Sequence, residues 1–195
     1  MYRFFYAIAR FMALLGGIVL SVLVLMVCLS ILGRTLNGLL HTMVASGVLA
    51  GAAQGLIDFG IGPVTGDFEL VEAGVAFAVF AFLPLCHITA GHASVDIFTS
   101  WMPDGAQRVL NVLIEVLFAV VLVVIAVQLY EGMQSKMRSG QTTFLLQFPI
   151  WWAYAASLSG AVVSAIVGVF MAALRIAELV LRRQIFVNAQ GPTIE

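Results

Sequence analysis

The chain has 195 residues, of which 62% are hydrophobic and only 10% are charged, and its formal net charge is −1. Soluble domains carry about 25% charged residues, so this chain has too few polar side chains to cover a water-facing surface. Its mean hydropathy of +1.08 predicts an all-α integral membrane protein, and the absence of a Lys/Arg cluster argues against nucleic-acid binding.

The first predicted membrane helix covers about residues 11–33, which include no charged side chain. A membrane-spanning helix needs about 20 apolar residues. The run is too long for a signal peptide and has no convincing cleavage site, so it is expected to remain as an anchor. Arg34 ends this predicted helix.

The segment 35–66 follows as an insert. Its apolar part is rich in Gly and Ala and includes His41 and Gln54. We predict an interfacial or re-entrant helix here, in the first periplasmic loop. The alternative, a fifth full span, would place the two termini on opposite sides of the membrane.

The second predicted membrane helix covers about residues 69–89 and is preceded by the start of the stretch "GDFELVE". Asp67 suits the N-cap, and Glu69 and Glu72 lie in the first turn, where the helix dipole favours acidic groups. Arg34 lies at the same predicted depth. We therefore predict a salt bridge from Arg34 to Glu69 or Glu72.

The end of this helix carries His87, then His92 and Asp96. These residues could share a metal ion only on one continuous helix, and Gly91 is expected to end the helix between them. No cysteine or further carboxylate completes a ligand set nearby. No two histidines lie on facing helices at matching depth, as a haem would need. No metal or cofactor is predicted.

The third predicted helix covers about residues 109–131 and contains Glu115, about 10 Å along its axis. An ionisable group at this depth suggests a function. Glu115 is solitary in the sequence pattern. We therefore favour contact with polar groups, including those of a partner protein, over an ion pathway.

The fourth predicted helix covers about residues 149–175. Pro149 suits the first helical position, and Trp151 and Tyr154 lie where an aromatic belt is expected. Small residues recur at every fourth position of helices 1 and 4, which allows close helix contact within the chain or with another membrane protein. They are Ala9, Ala13, Gly17 and Ser21, then Gly160, Ser164, Gly168 and Ala172.

The basic residues predict the topology. With four spans both termini lie on one side, and six basic residues fall on that side against three on the other. The positive-inside rule makes the six-residue side cytoplasmic. We thus expect one membrane domain over residues 1–195, with both termini on the cytoplasmic side.

The order of these features resembles the small membrane subunit of tripartite ATP-independent periplasmic (TRAP) transporters, the DctQ family. The resemblance rests on Arg34 and the stretches "GDFELVE", "GHASVD" and "GQTTFLLQFPIWWAY". Carried over position by position, its residues are Arg34, Glu69 or Glu72, Gly91, His92, Val95, Asp96, Gly140, Thr142 or Thr143, Pro149, Trp151 and Tyr154. The insert 35–66 is longer than the family's short first loop.

The resemblance implies a division of labour. A large (DctM-like) permease subunit would hold the substrate and sodium sites, and a periplasmic substrate-binding protein would deliver an organic acid. The small subunit would be a non-catalytic scaffold in the lipid bilayer of the bacterial inner membrane, where it supports the permease and helps to dock the binding protein. The alternative is a self-sufficient four-helix protein, either a quinone or haem protein or a small carrier.

Overall fold

The computed structural model describes residues 2–47, 49–89 and 104–181, and these form five α-helices. They are α1 (Tyr2–Ser46), α2 (Ala50–Asp58), α3 (Asp67–Ile88), α4 (Asp104–Ser139) and α5 (Trp151–Leu181). No β-strand occurs in these ranges. Four of the helices are long and apolar enough to cross a membrane, which confirms the prediction of an all-α protein with four membrane helices.

The prediction that Arg34 ends the first helix was wrong, because α1 continues to Ser46. A helix of 45 residues is about 67 Å long, more than twice the hydrocarbon thickness of a bilayer. One end of α1 must therefore lie outside the hydrocarbon core. The predicted boundary was placed at the first charged residue after the apolar run, but a charged side chain does not end a helix, and the residues after Arg34 continue it.

The insert forms a helical hairpin with the end of α1. The chain turns at Gly47, which has a φ of 75°, and α2 packs back against α1. Gly33 permits the return path, because a Cβ there would collide with the carbonyl of Gly62. The amide of Asn37 donates a hydrogen bond of 2.7 Å to the Ile61 carbonyl. The position of this hairpin relative to the membrane stays a prediction.

The helix α5 lies at the centre of the bundle. It packs against α3 and α4, whereas α1 packs mainly against α3. Half of the most apolar stretch of α5 is buried, against 17% for α1 and α4. The large apolar surfaces of α1 and α4 therefore face outward, as is usual for helices in contact with lipid or with a partner.

Candidate functional site

The interior of α1 is joined to the start of α3 by a carboxylate, but it belongs to Asp67 and not to Glu69 or Glu72. Oδ2 of Asp67 accepts a hydrogen bond of 2.6 Å from the Ser30 hydroxyl and lies 3.5 Å from the Arg34 guanidinium. Ser30 is fully buried. Because Ser30 and Arg34 are one turn apart on α1, both can reach the same oxygen.

The prediction of Asp67 as the N-cap was also wrong. Gly66 caps α3 in the left-handed conformation, with a φ of 76°, and a Cβ at this position would collide with the side chain of Leu146. Asp67 is instead the first helical residue, which leaves its carboxylate free to contact α1.

Glu69 holds the loop between α4 and α5, residues 140–150. Its two oxygens accept hydrogen bonds from the backbone N–H groups of Leu145, at 2.6 Å, and Leu146, at 2.9 Å. A carboxylate that accepts two backbone N–H groups fixes the loop with charge-assisted hydrogen bonds. This role was not apparent from the sequence, because the two partners lie 76 and 77 residues away from Glu69.

The loop also holds Gly140, Thr142 and Pro149 of the stretch "GQTTFLLQFPIWWAY". Gly140 ends α4 with a φ of 61°, and Thr142 forms an isolated antiparallel bridge with Pro149. The Pro149 carbonyl accepts a hydrogen bond from the Trp152 N–H at 3.1 Å. The helix α5 begins at Trp151, two residues after the predicted first position, because Pro149 pairs with Thr142 across the loop instead.

Tyr154 packs at the start of α5 against α4. A Cβ at Gly132 would approach its ring to 2.8 Å, so the aromatic ring requires glycine at that position of α4. The described residues that the family resemblance carried over thus share one region of the bundle. Gly91, His92, Val95 and Asp96 lie outside the described residues.

A second polar cluster joins three helices near the other end of the bundle. Glu115 of α4 has Oε2 2.9 Å from Nε2 of His87 on α3 and Oε1 4.0 Å from Nε of Arg175 on α5. Arg175 also donates a hydrogen bond of 3.1 Å to Glu178. The His87 side chain is 3% exposed and that of Glu115 is 15% exposed. The expectation that Glu115 is solitary was therefore wrong, although its contact with polar groups is confirmed.

The cluster lies near helix ends and not at the middle of the bundle. His87 is in the last turn of α3, and α4 begins at Asp104, several residues before the predicted start. Glu115 lies eleven residues after the start of α4, and its contact with His87 places it level with the last turn of α3. Among the described residues, no group of three His, Cys, Asp or Glu side chains is placed to hold a metal ion.

The small residues of α5 pack inside this chain. A Cβ at Gly160 would lie 2.9 Å from the backbone of Phe80, and one at Gly168 would lie 3.0 Å from Leu122. Ser164 between them donates a hydrogen bond of 2.8 Å to the Gly160 carbonyl. These positions are therefore closed to a partner protein.

The small residues of α1 behave differently. Ala9 and Ala13 are buried, but a Cβ at Gly17 would meet no atom within 4 Å, and it is Gly16 that approaches Ala81. Positions four apart advance about 40° beyond a full turn of an α-helix. The stripe therefore rotates away from α3 after Ala13.

Comparison with protein families supports the sequence resemblance. Residues 23–183 match the family described as "Tripartite ATP-independent periplasmic transporters, DctQ component". Searches of curated proteins and of solved structures returned no match. The family match covers all of α3, α4 and α5 and the second half of α1. The chain is therefore a multi-pass membrane protein that belongs to the DctQ component family of TRAP transporters.

Proposed function

We propose that this chain is the non-transporting small subunit of a sodium-coupled TRAP transporter for organic acids in the bacterial inner membrane. In this role it scaffolds the large permease subunit and helps to dock the periplasmic binding protein. The family match supports its membership in a transporter assembly. The scaffold role, the sodium coupling and the substrate class are our inference.

The observation that carries this proposal is the contact of Glu115 with His87 and Arg175. Ion and substrate sites in secondary transporters are typically formed by convergent polar groups and unwound helices near the midplane. Here the acidic side chain within the apolar part of α4 contacts basic groups of the same chain near the helix ends. It serves helix contact, which suits a scaffold.

The continuity of the helices gives further support. The helices α1, α3, α4 and α5 each run without a break through the residues described, including α3 at Pro84. Broken helices are the usual way in which a transporter exposes backbone groups to its ligands. The outward apolar side chains of α1, such as Leu25 and Leu29, offer a wide surface to a second membrane subunit.

Reconstitution tests the proposal. Liposomes containing this chain alone, the large subunit encoded with it, or both receive an inward sodium gradient, the binding protein and a panel of organic acids. We expect uptake only when the large subunit is present, and more uptake when both are present. Glu115→Gln should leave the order of substrate preference unchanged. Accumulation by this chain alone would refute the scaffold role and support a self-sufficient carrier.

A further inference from the structure

A half-open cavity of about 420 Å³ lies where α3 and α5 begin. We call it the α3–α5 cavity. Its polar lining comprises Glu69, Glu72, Thr143, Tyr154 and Ser157, and its apolar lining includes Ala76, Phe80 and Leu129. The volume is in the range of cavities that bind small molecules, about 300–1,000 Å³.

Two carboxyl groups, those of Glu69 and Glu72, line the cavity. The carboxylate of Glu69 is already bonded to the loop, but Glu72 makes no hydrogen bond or ion pair with any residue that the structure describes. No Lys or Arg belongs to the described lining. Glu72 lies more than one turn into a membrane helix, where a carboxylate favours a cationic partner.

Ser157 supplies an independent indication of a ligand. Its residue is 3% exposed, and its buried Oγ has no hydrogen-bond partner among the described residues. A serine within a helix usually donates to the carbonyl one turn earlier, as Ser164 does to Gly160 at 2.8 Å. Because a buried hydroxyl without a partner is unfavourable, the Ser157 hydroxyl favours a polar ligand in the cavity that it lines.

The rest of the lining is apolar and extends away from the two carboxyl groups. Along α3 the lining residues follow in the order Glu69, Glu72, Ala76 and Phe80, over about 16 Å of helix. The polar positions come first and the apolar ones deeper. This order matches a molecule with a charged head and a hydrocarbon tail.

We propose that the α3–α5 cavity binds the headgroup of a zwitterionic phospholipid with a primary ammonium group, such as phosphatidylethanolamine. The ammonium group donates to Glu72, the hydroxyls of Ser157 and Tyr154 donate to the phosphate, and an acyl chain lies along Phe80 and Leu129. A basic side chain of a partner protein would satisfy Glu72 alone. The zwitterion also uses the hydroxyl groups and the apolar wall.

The geometry predicts an order of headgroup preference. A primary ammonium offers N–H donors to a carboxylate, and such charge-assisted hydrogen bonds are strong. A choline headgroup carries a positive charge but has no N–H donor. A glycerol headgroup has neither a positive charge nor an N–H donor. We expect retention to fall in the order ethanolamine, choline, glycerol.

Native mass spectrometry of the purified chain in detergent tests this order, with dioleoyl lipids that differ only in headgroup. We expect the ethanolamine lipid to remain bound at about tenfold lower concentration than the glycerol lipid, as one charge-assisted hydrogen bond implies. Glu72→Gln should remove this difference. Glu131→Gln, which changes an exposed carboxylate of α4 outside the cavity, should preserve it.

Ser157→Ala provides a second variant. If the hydroxyl contacts the headgroup, this change weakens retention of the ethanolamine lipid but does not lower the melting temperature of the protein. Equal retention of the ethanolamine and glycerol lipids by the unaltered chain, or no effect of Glu72→Gln, would overturn the proposal. A carbodiimide cross-link between Glu72 and a lysine of the large subunit in the assembled transporter would overturn it in favour of a protein contact. The binding measurement uses this chain alone, so its outcome is independent of transport.

Discussion

The contacts of single carboxylates distinguish the two ends of this bundle. Asp67 joins α3 to α1 through Ser30 and Arg34, and Glu69 joins α3 to the loop before α5. At the other end Glu115 contacts both His87 and Arg175. In a low-dielectric environment, removing one member of such a pair lowers the free energy of unfolding by more than the intact pair raises it, because the other member loses its partner.

Glu115→Ala should therefore destabilise the protein strongly, by about 3 kcal/mol, because it removes the carboxylate that contacts both His87 and Arg175. Glu131→Ala on the same helix, where the side chain is exposed, is the matched control and should have little effect. Thermal unfolding in detergent measures both. In a double-mutant cycle, Glu115→Ala should cost less in a His87→Ala background. Additive effects would show that the two side chains are not coupled.

Glu69→Ala should loosen the loop 140–150, because the N–H groups of Leu145 and Leu146 lose their acceptor. Amide hydrogen exchange of residues 143–148 should become faster, while that of α5 changes little. Glu72→Ala is the control, since Glu72 makes no hydrogen bond to this loop. Unchanged exchange after Glu69→Ala would mean that the bridge of Thr142 with Pro149 is sufficient to hold the loop.

The packing of the helices depends on where small residues face. On α5 they face α3 and α4, so that the backbones of α5 and α3 come into contact at Gly160. On α1 only the first part of the stripe is buried, and Gly17 faces outward. The same four-residue spacing is therefore buried along α5 but only partly buried along α1. The difference arises because α5 packs against two long helices, whereas α1 packs mainly against one.

Gly160→Leu should disrupt the contact of α5 with α3, because the leucine side chain would clash with the backbone of Phe80. Overpacking of this kind typically costs about 1–3 kcal/mol. Gly17→Leu is the matched control, and it should be tolerated within this chain. Melting temperatures of the two variants in detergent give the comparison. If Gly17→Leu instead lowers co-purification of the large subunit, that face of α1 contacts the partner.

The arrangement of the whole bundle gives the subunit a packed centre, α3 and α5, with α1 and α4 on its flanks. A broad apolar surface is thereby presented outward, as on Leu25 and Leu117. A subunit of a membrane assembly is expected to have such a surface. We predict the orientation of this bundle in the membrane from its basic residues, which are distributed six to three between the two sides.

Thiol labelling tests that orientation. In a background without Cys28 and Cys86, cysteines are placed at Gly140 and at Ala189, and intact spheroplasts receive an impermeant reagent. Labelling of Gly140→Cys but not of Ala189→Cys is expected, since the positive-inside rule puts the loop 140–150 outside and both termini inside. The reverse pattern would overturn the topology.

The sequence by itself determined the membrane class, the four spans and the family, because each depends on composition or on order along the chain. In lipid, a long apolar run forms a helix because a helix satisfies the hydrogen bonds of its backbone N–H and C=O groups internally. Comparison of depths would also have found the cluster at Glu115, because His87, Glu115 and Arg175 all lie toward the predicted cytoplasmic ends of their helices. Each is an ionisable residue in an otherwise apolar segment.

Only the tertiary structure decided which groups meet. The choice of Asp67 over Glu69 as the partner of Arg34 depends on the rotation of α3 about its axis, which Gly66 and the loop residue Leu146 help to set. The partners of Glu69 lie more than seventy residues away. That the Ser157 hydroxyl has no hydrogen-bond partner among the described residues is recognisable only once its neighbours are placed. Rotation and depth arise from packing between helices, which a local pattern does not encode.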